Sequence, residues 1–245
     1  MLTVINSPWS IVDSNKFFLE VIMKKFFVLV FVSLLAFFVS PISAQVKLGL
    51  QAGINLADVS IEDLPTGWET SIRTAFMVGG IFNYSFSPIL SLQAEPAYIQ
   101  KGAAVDATET EAGMTITYEA TYSADYIDIP VLLKASFGNE EVKPFVLAGA
   151  SVAFLLGDVT VTVDKATAGG QDVTNQIPEQ TLKGKSTDFI LNFGGGVMIP
   201  VGQVEIFVEG QYNLGLTNVN DEPAPEQPEV KNRGIQIKAG ALFAL

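Results

Sequence analysis

Apolar and polar side chains alternate with a period of two in eight segments of this 245-residue chain. In the segment YIDIPVLLKASF, residues 126–137, every second residue from Ile127 to Phe137 is apolar, whereas Asp128 and Lys134 occupy the other parity. A period of two is typical of a β-strand with one apolar face. After residue 44 no apolar run reaches the length of about 18 residues that indicates a transmembrane helix. The apolar residues, 49% of the chain, are therefore dispersed over strands.

The eight segments predicted as strands are 45–57, 72–86, 89–101, a fourth that ends in 126–137, 143–157, 187–199, 204–216 and 233–245. Their connections alternate in length: short turns at 85–89, 138–144 and 200–204, and long polar segments at 58–71, 103–118, 158–186 and 217–232. Short periplasmic turns and long extracellular loops are typical of outer-membrane barrels. Within the hydrocarbon core of a membrane the backbone groups of a sheet edge cannot remain unpaired, so the sheet must close on itself. We therefore predict an all-β fold for 45–245, an eight-stranded antiparallel up-and-down transmembrane β-barrel.

The amino-terminal region has the pattern of a secretory signal peptide. Lys24 and Lys25 precede an apolar segment at 26–39, and small residues follow up to Ala44. This order predicts a signal peptide at 23–44 that is cleaved to leave Gln45 first. An uncleaved membrane anchor is the alternative. Residues 1–22 lie upstream of a complete signal, so we interpret them as the product of a start codon assigned too early.

The polar parity of the predicted strands carries charges of both signs. Eight strands enclose only enough room for side chains, and buried charges need partners. The sequence therefore predicts a structural network of paired charges that fills the lumen; a proton path or polar pore is the alternative. The residues assigned to this network are Arg73, Glu95, Asp128, Lys134, Glu209 and Lys238. Pro130 removes a ladder hydrogen bond and predicts a β-bulge in its strand.

Several kinds of chemistry are disfavoured by composition. The chain contains no cysteine and no histidine, so it lacks thiolate metal ligands and the commonest general base. We predict no enzymatic activity, no cofactor and no metal site. The net charge of −12 argues against a nucleic-acid partner. The acidic segments 103–118 and 217–232 do not have the spacing of a calcium loop and are interpreted as solvated loops.

The strand sequences resemble the PorT-like outer-membrane β-barrel family over residues 45–245. The resemblance lies in LGLQAGINLA at 48–57, YIDIPVLLKASF at 126–137, KPFVLAGASVAFLL at 143–156 and GIQIKAGALFAL at 234–245. Its most specific part is the pattern of Tyr126, Asp128, Ile129, Pro130 and Lys134. The resemblance implies an outer-membrane location and an eight-stranded barrel. A few members resemble components of a protein-secretion apparatus.

Together these features predict an outer-membrane barrel with a filled lumen, long acidic extracellular loops and a structural or surface-interaction role. Two alternatives stay open: an accessory component of a protein-secretion apparatus, and a soluble periplasmic lipid-binding barrel. The expected partners are outer-membrane lipid and lipopolysaccharide, the barrel-assembly machinery, and an unidentified surface or secretion protein.

Overall fold

A computed structural model describes residues 45–62, 64, 66–111, 113–138, 141–221 and 228–245. The predicted signal peptide at 23–44 and the upstream residues 1–22 lie outside this range. The strands are β1 (Gln45–Ile61), β2 (Trp68–Ser71), β3 (Arg73–Ser85), β4 (Leu90–Ala94), β5 (Ala97–Glu111), β6 (Met114–Ser136), β7 (Lys143–Leu155), β8 (Val159–Ala168), β9 (Gln171–Asp172), β10 (Gln180–Leu182), β11 (Thr187–Val201), β12 (Val204–Gly215) and β13 (Val230–Ala244). A single turn of 3-10 helix lies at Thr174–Gln176. Within the described part of the chain, no helix is both long enough and apolar enough to cross a membrane.

The first and last strands pair with each other and close the sheet. β1 pairs with β13 from Lys47 opposite Ala244 to Ile61 opposite Val230, and with β3 on its other side. The order around the barrel is β1, β3, β4 with β5, β6, β7, β11, β12 and β13, and all pairings are antiparallel. Because β4 and β5 share one register against β3, they form a single barrel strand. The predicted eight-stranded antiparallel barrel is confirmed.

Two prolines account for the break between β4 and β5. The backbone N–H of Glu95 donates to the carbonyl of Pro130 at 3.0 Å, but Pro130 has no N–H to donate back. In the same way Gly80 donates to the carbonyl of Pro96 at 2.9 Å without a return bond. The register of β6 is unchanged from β4 to β5 and constant along β7. The predicted bulge at Pro130 is therefore wrong: a donor is missing, but no residue is inserted.

The apolar parity of every barrel strand points outward. Leu50 is 70% exposed and Val208 58%, and the outward residues of the strand at 126–137, such as Leu133, are also exposed. The polar parity points inward, where Asp128 and Lys134 are each 2% exposed. A soluble lipid-binding barrel needs the opposite orientation, with apolar side chains inside and charges outside. That alternative is therefore wrong.

Two apolar clusters fill the lumen at different heights. The cluster nearer the short turns, the turn-end cluster, consists of Ile81, Leu132, Phe145, Leu147, Met198, Phe207 and Leu242. The cluster nearer the long connections, the loop-end cluster, consists of Met77, Ala97, Ile99, Ala124, Tyr126, Ala153 and Ile190. All of these side chains are at most 6% exposed, so the interior is packed at both levels.

Much of the two segments predicted as loops at 103–118 and 158–186 is regular sheet. β5 and β6 stay paired as far as Glu111 opposite Met114, well beyond the barrel wall. β2 pairs with the end of β5, β8 pairs with β6, and β10 pairs with β8. We call the resulting unit, ordered β2–β5–β6–β8–β10, the projecting sheet. Its strands form because β-branched threonine and valine alternate with small apolar residues, a pattern that favours half-buried strands in spite of the polar composition.

Candidate functional site

Five lysines and five carboxylates of the described barrel strands point into the lumen, together with Arg73. These are the lysines Lys47, Lys101, Lys134, Lys143 and Lys238, and the carboxylates Glu95, Asp128, Asp188, Glu205 and Glu209. They reach the lumen because each lies on the polar parity of its strand. Positive and negative charges therefore nearly balance within the described part of the lumen.

Lys238 is the centre of the most buried charge cluster. Its Nζ forms an ion pair with Glu95, lies 3.0 Å from Glu209 Oε1 and donates to Gln211 Oε1 at 2.6 Å. Lys238 is 2% exposed, and Glu95 and Glu209 are each 1% exposed. One ammonium group therefore compensates two carboxylates that belong to different strands, β4–β5 and β12. We call Lys238, Glu95 and Glu209 the central cluster.

Two glutamines complete the hydrogen bonding of Glu95. Gln93 Nε2 donates to Oε1 at 2.6 Å, and Gln51 Nε2 donates to Oε2 at 3.4 Å. No comparable donor reaches Glu209 within the described residues, since neither of its oxygens has a hydrogen bond of good geometry. Glu209 therefore depends on Lys238 for its compensation, whereas Glu95 also has two glutamine donors.

Lys134 lies on the turn side of the central cluster, among the residues of the turn-end cluster. Its Nζ donates to Gln93 Oε1 at 3.3 Å and stands 3.9 Å from the centre of the Phe145 ring. A second ring, that of Phe207, lies 5.9 Å away. A cation above an aromatic face is stabilised by the ring quadrupole. The aromatic rings partly replace the counter-ion that a buried ammonium group otherwise needs.

A further ion cluster lies at each end of the lumen. At the turn end, Glu205 binds Lys47 at 2.6 Å and Lys143 at 3.2 Å. At the loop end, Lys101 Nζ lies 3.8 Å from Asp188 Oδ2, which also accepts a hydrogen bond from Asn232 at 3.0 Å. Apart from Lys134 and Asp128, the charged groups therefore occupy three levels of the lumen, separated by the two apolar clusters.

Of the six residues predicted for the network, the structure brings four together. Glu95, Glu209 and Lys238 form the central cluster, and Lys134 is linked to it through Gln93. The other two lie apart and at the loop end. Arg73 donates to the backbone carbonyl of Lys101 at 3.2 Å, and Asp128 is buried with Oδ1 unpaired among the described residues.

The three glutamines Gln51, Gln93 and Gln211 were missed as members of the network. Their signal was available, since each lies on the same parity as the charged residues. They were missed because only charged residues were assigned to the network. Neutral amides also provide the hydrogen bonds that buried carboxylates require.

Most of the charged groups in the described lumen contact a group of opposite charge. Among the described residues, no group of three or more acidic side chains is placed to hold a metal ion. The charged groups of the described lumen form ion pairs and hydrogen bonds, and together with the two apolar clusters they occupy the interior of the barrel.

The profile of the outer membrane protein beta-barrel domain family matches residues 41–221. The chain belongs to this family. Its location is accordingly the outer membrane, and the outward apolar parity is the surface that faces lipid. The match supports an outer-membrane barrel family without specifying the PorT-like group. No curated protein matches the chain.

Three solved structures are similar to the chain. Neisserial surface protein A is 16% identical, with 82% of this chain and 97% of that chain covered and a TM-score of 0.47. The outer membrane protein OprG from Pseudomonas aeruginosa is 10% identical, with 82% and 95% covered and a TM-score of 0.48. The outer membrane protease OmpT from Escherichia coli is 10% identical, with 84% and 99% covered and a TM-score of 0.39. Likenesses at this level carry no functional argument for this chain.

Proposed function

We propose that the protein is a closed outer-membrane anchor that presents the projecting sheet to a protein partner outside the cell. The observation that carries the proposal is the projecting sheet itself, an ordered surface continuous with the barrel wall. Long connections are extracellular in barrels of this class, so the sheet faces the exterior. A rigid strand extension supports a fixed binding surface better than separate mobile loops do.

The outward face of the projecting sheet is built from cross-strand rows of hydroxyl groups. Thr117 of β6 is opposite Thr108 of β5 and Thr167 of β8, and its Oγ1 lies 2.6 Å from that of Thr167. In the adjacent row Glu119 is opposite Lys165, with an ion-pair distance of 3.5 Å. Such a face offers donors and acceptors on a fixed spacing, which suits a polar protein surface.

The packed interior supports an anchor rather than a channel. Leu132 is fully buried in the turn-end cluster, and Ala153 in the loop-end cluster. The central cluster lies between these levels and is internally paired. Movement of a hydrated ion through the lumen requires displacement of both apolar clusters. We therefore expect no measurable single-channel conductance from the protein in planar bilayers at neutral pH, under conditions in which a general porin conducts.

Two further parts of the prediction also belong to this proposal. Assembly by the barrel-assembly machinery and contact with lipid and lipopolysaccharide follow from the outer-membrane location. Catalysis is not included; the absence of histidine and cysteine from the sequence supports this. A role as a secretion accessory predicts that the partner contacts the turn end or the lipid face.

Site-specific photo-crosslinking in intact cells tests where a partner binds. A crosslinker at Thr117 reports on the outward face of the projecting sheet, and one at Val161 reports on its buried inner face. Leu133 and Val201 are matched positions on the lipid face and at the turn end. We expect protein adducts at Thr117 and none at Val161. Adducts confined to Leu133 or Val201 would contradict the proposal and favour the secretion role.

A further inference from the structure

We infer that the turn end of the lumen contains a binding site for a phosphate group. A cavity of about 60 Å³ lies between β1, β4, β6, β7 and β12 at this end. Its polar lining includes Lys47, Lys134, Lys143, Glu205, Ser91 and Ser136. One water occupies about 10–15 Å³ on this scale, so the cavity has room for roughly four to six oxygen-sized atoms. A phosphate group has four oxygens.

The charges that line the cavity favour an anion. Three lysines face one carboxylate, since Glu205 accepts from both Lys47 and Lys143. Lys134 has no carboxylate oxygen of the described residues within 4.0 Å, although its side chain is 2% exposed. Its single hydrogen bond, to Gln93, is long at 3.3 Å. A buried ammonium group without a direct counter-ion therefore lines a cavity with an excess of positive charge.

The three lysines of the same cavity have hydrogen-bond donors to spare. Each lysine ammonium carries three N–H donors, and in this structure each uses one of them on a protein acceptor. Both oxygens of Glu205 are already engaged by lysines. Ser91 Oγ accepts a hydrogen bond from Asn83 at 3.0 Å, which leaves its own hydroxyl hydrogen free to donate. Charge-assisted donors that converge on one space are the arrangement by which proteins hold phosphate oxygens.

The phosphate group has two sources, free phosphate and a phospholipid headgroup, and both present the same oxygens. Ile89 and Leu90 also line the cavity and are 52% and 36% exposed on the outer wall. An apolar rim beside a basic cavity suits a lipid whose acyl chains lie along the barrel. Short turns face the periplasm in barrels of this class, so such a lipid belongs to the inner leaflet.

Calorimetry with inorganic phosphate tests the site in the mature chain folded in maltoside detergent without phosphate. We expect Lys134→Met and Lys143→Met each to weaken binding about tenfold or more, the usual effect of losing a charge-assisted hydrogen bond. Lys183→Met removes an exposed lysine far along the chain from the cavity residues and is the matched control, with unchanged binding. Because Lys134 is buried, gel mobility before and after heating verifies that each variant is folded, and Lys143→Met tests the site independently.

A lipid experiment distinguishes the two sources. The same variants are transferred from phosphatidylglycerol nanodiscs into detergent and their retained lipid is measured by native mass spectrometry. A lipid source predicts one retained phospholipid in the wild type and in Lys183→Met, displaced by millimolar phosphate, and none in Lys134→Met. A free phosphate source predicts calorimetric binding without retained lipid. Absence of both signals in the wild type, or an equal loss in Lys183→Met, overturns the inference.

Discussion

Replacement of Lys238 by methionine tests how far the barrel depends on its central cluster. Methionine fills most of the lysine volume but removes the ammonium group that contacts Glu95, Glu209 and Gln211. Glu95 retains two glutamine donors after the change, whereas Glu209 is left with no hydrogen bond of good geometry from the described residues. The destabilisation should therefore arise mainly from Glu209.

The magnitude follows from the fate of that carboxylate. Removal of one partner from a buried ion pair costs about 3–5 kcal/mol. Neutralising a glutamate by proton uptake at pH 7 costs about 3.7 kcal/mol, because the ordinary carboxyl titrates about 2.7 pH units lower at about 1.36 kcal/mol per unit. The cost of proton uptake is thus an upper bound on the cost of leaving Glu209 unpaired, and it lies within the range observed for buried ion pairs. We expect Lys238→Met to lower the free energy of unfolding by about 3–4 kcal/mol.

Two further variants separate the charge effect from the loss of packing. Glu209→Gln alone keeps the Lys238–Glu95 pair and should cost less than about 2 kcal/mol. Lys238→Met combined with Glu209→Gln removes the unpaired carboxylate, so it should be more stable than Lys238→Met alone by about 2 kcal/mol. The double variant should therefore be more stable than the sum of the two single losses implies. If the losses in the free energy of unfolding were additive, the two groups would not interact.

Urea unfolding of residues 45–245 in phospholipid vesicles provides the measurement. Trp68 is the one tryptophan of residues 45–245, and its fluorescence reports on the projecting sheet. Gel mobility without heating reports on the barrel in the same samples. The reasoning is refuted if Lys238→Met lies within about 1 kcal/mol of the wild type, or if Glu209→Gln fails to rescue it.

Three other expectations follow from the same structure. The unheated protein should migrate at a different apparent mass from the boiled protein, and identical mobility would contradict a closed barrel. Ile129→Arg places a charge on the lipid face and should cost about 2–4 kcal/mol, whereas Asp128→Asn in the lumen should cost much less. Folding yields in vesicles compare the two variants, and equal yields would contradict the faces assigned to these residues. Gly149→Ala brings its Cβ to 2.1 Å from the carbonyl oxygen of Val131 and should cost about 1–3 kcal/mol, while Gly210→Ala meets no atom within 4 Å and should leave the urea midpoint unchanged.

The barrel was predictable because the alternation of apolar and polar residues shows directly which side chains lie on the same face of a strand. A residue such as Leu133 or Val208 must lie on the side opposite its neighbours in an extended strand, so the apolar parity alone determined the outer wall. The lengths of the connections then indicated closure and the two ends of the barrel. The prediction of loops at 103–118 and 158–186 relied on polarity, which does not distinguish a loop from a strand that lies outside the membrane.

Register is the reason that the lumen network was only partly predictable. Parity indicates that Arg73 and Glu95 point inward, but the height of each side chain depends on how neighbouring strands are offset. The pairing of β12 with β13 places Glu209 directly opposite Lys238, whereas Asp128 lies opposite Ala97 and Ala153. A sequence without register information cannot distinguish these cases. The same limit explains the error at Pro130, where a missing donor and an inserted residue produce the same local signal.

The balance of charge inside the barrel bears on how a partner would approach it. Since the lumen contributes little net charge, the net charge of −12 arises from residues outside it. Acidic side chains of the projecting sheet, such as Asp106, Glu119 and Asp164, contribute to that excess. A surface field of one sign steers oppositely charged partners and weakens as salt is added. The proposed partner should therefore present a basic surface, and its association rate should fall as ionic strength rises; a rate independent of salt would place its contacts away from these carboxylates.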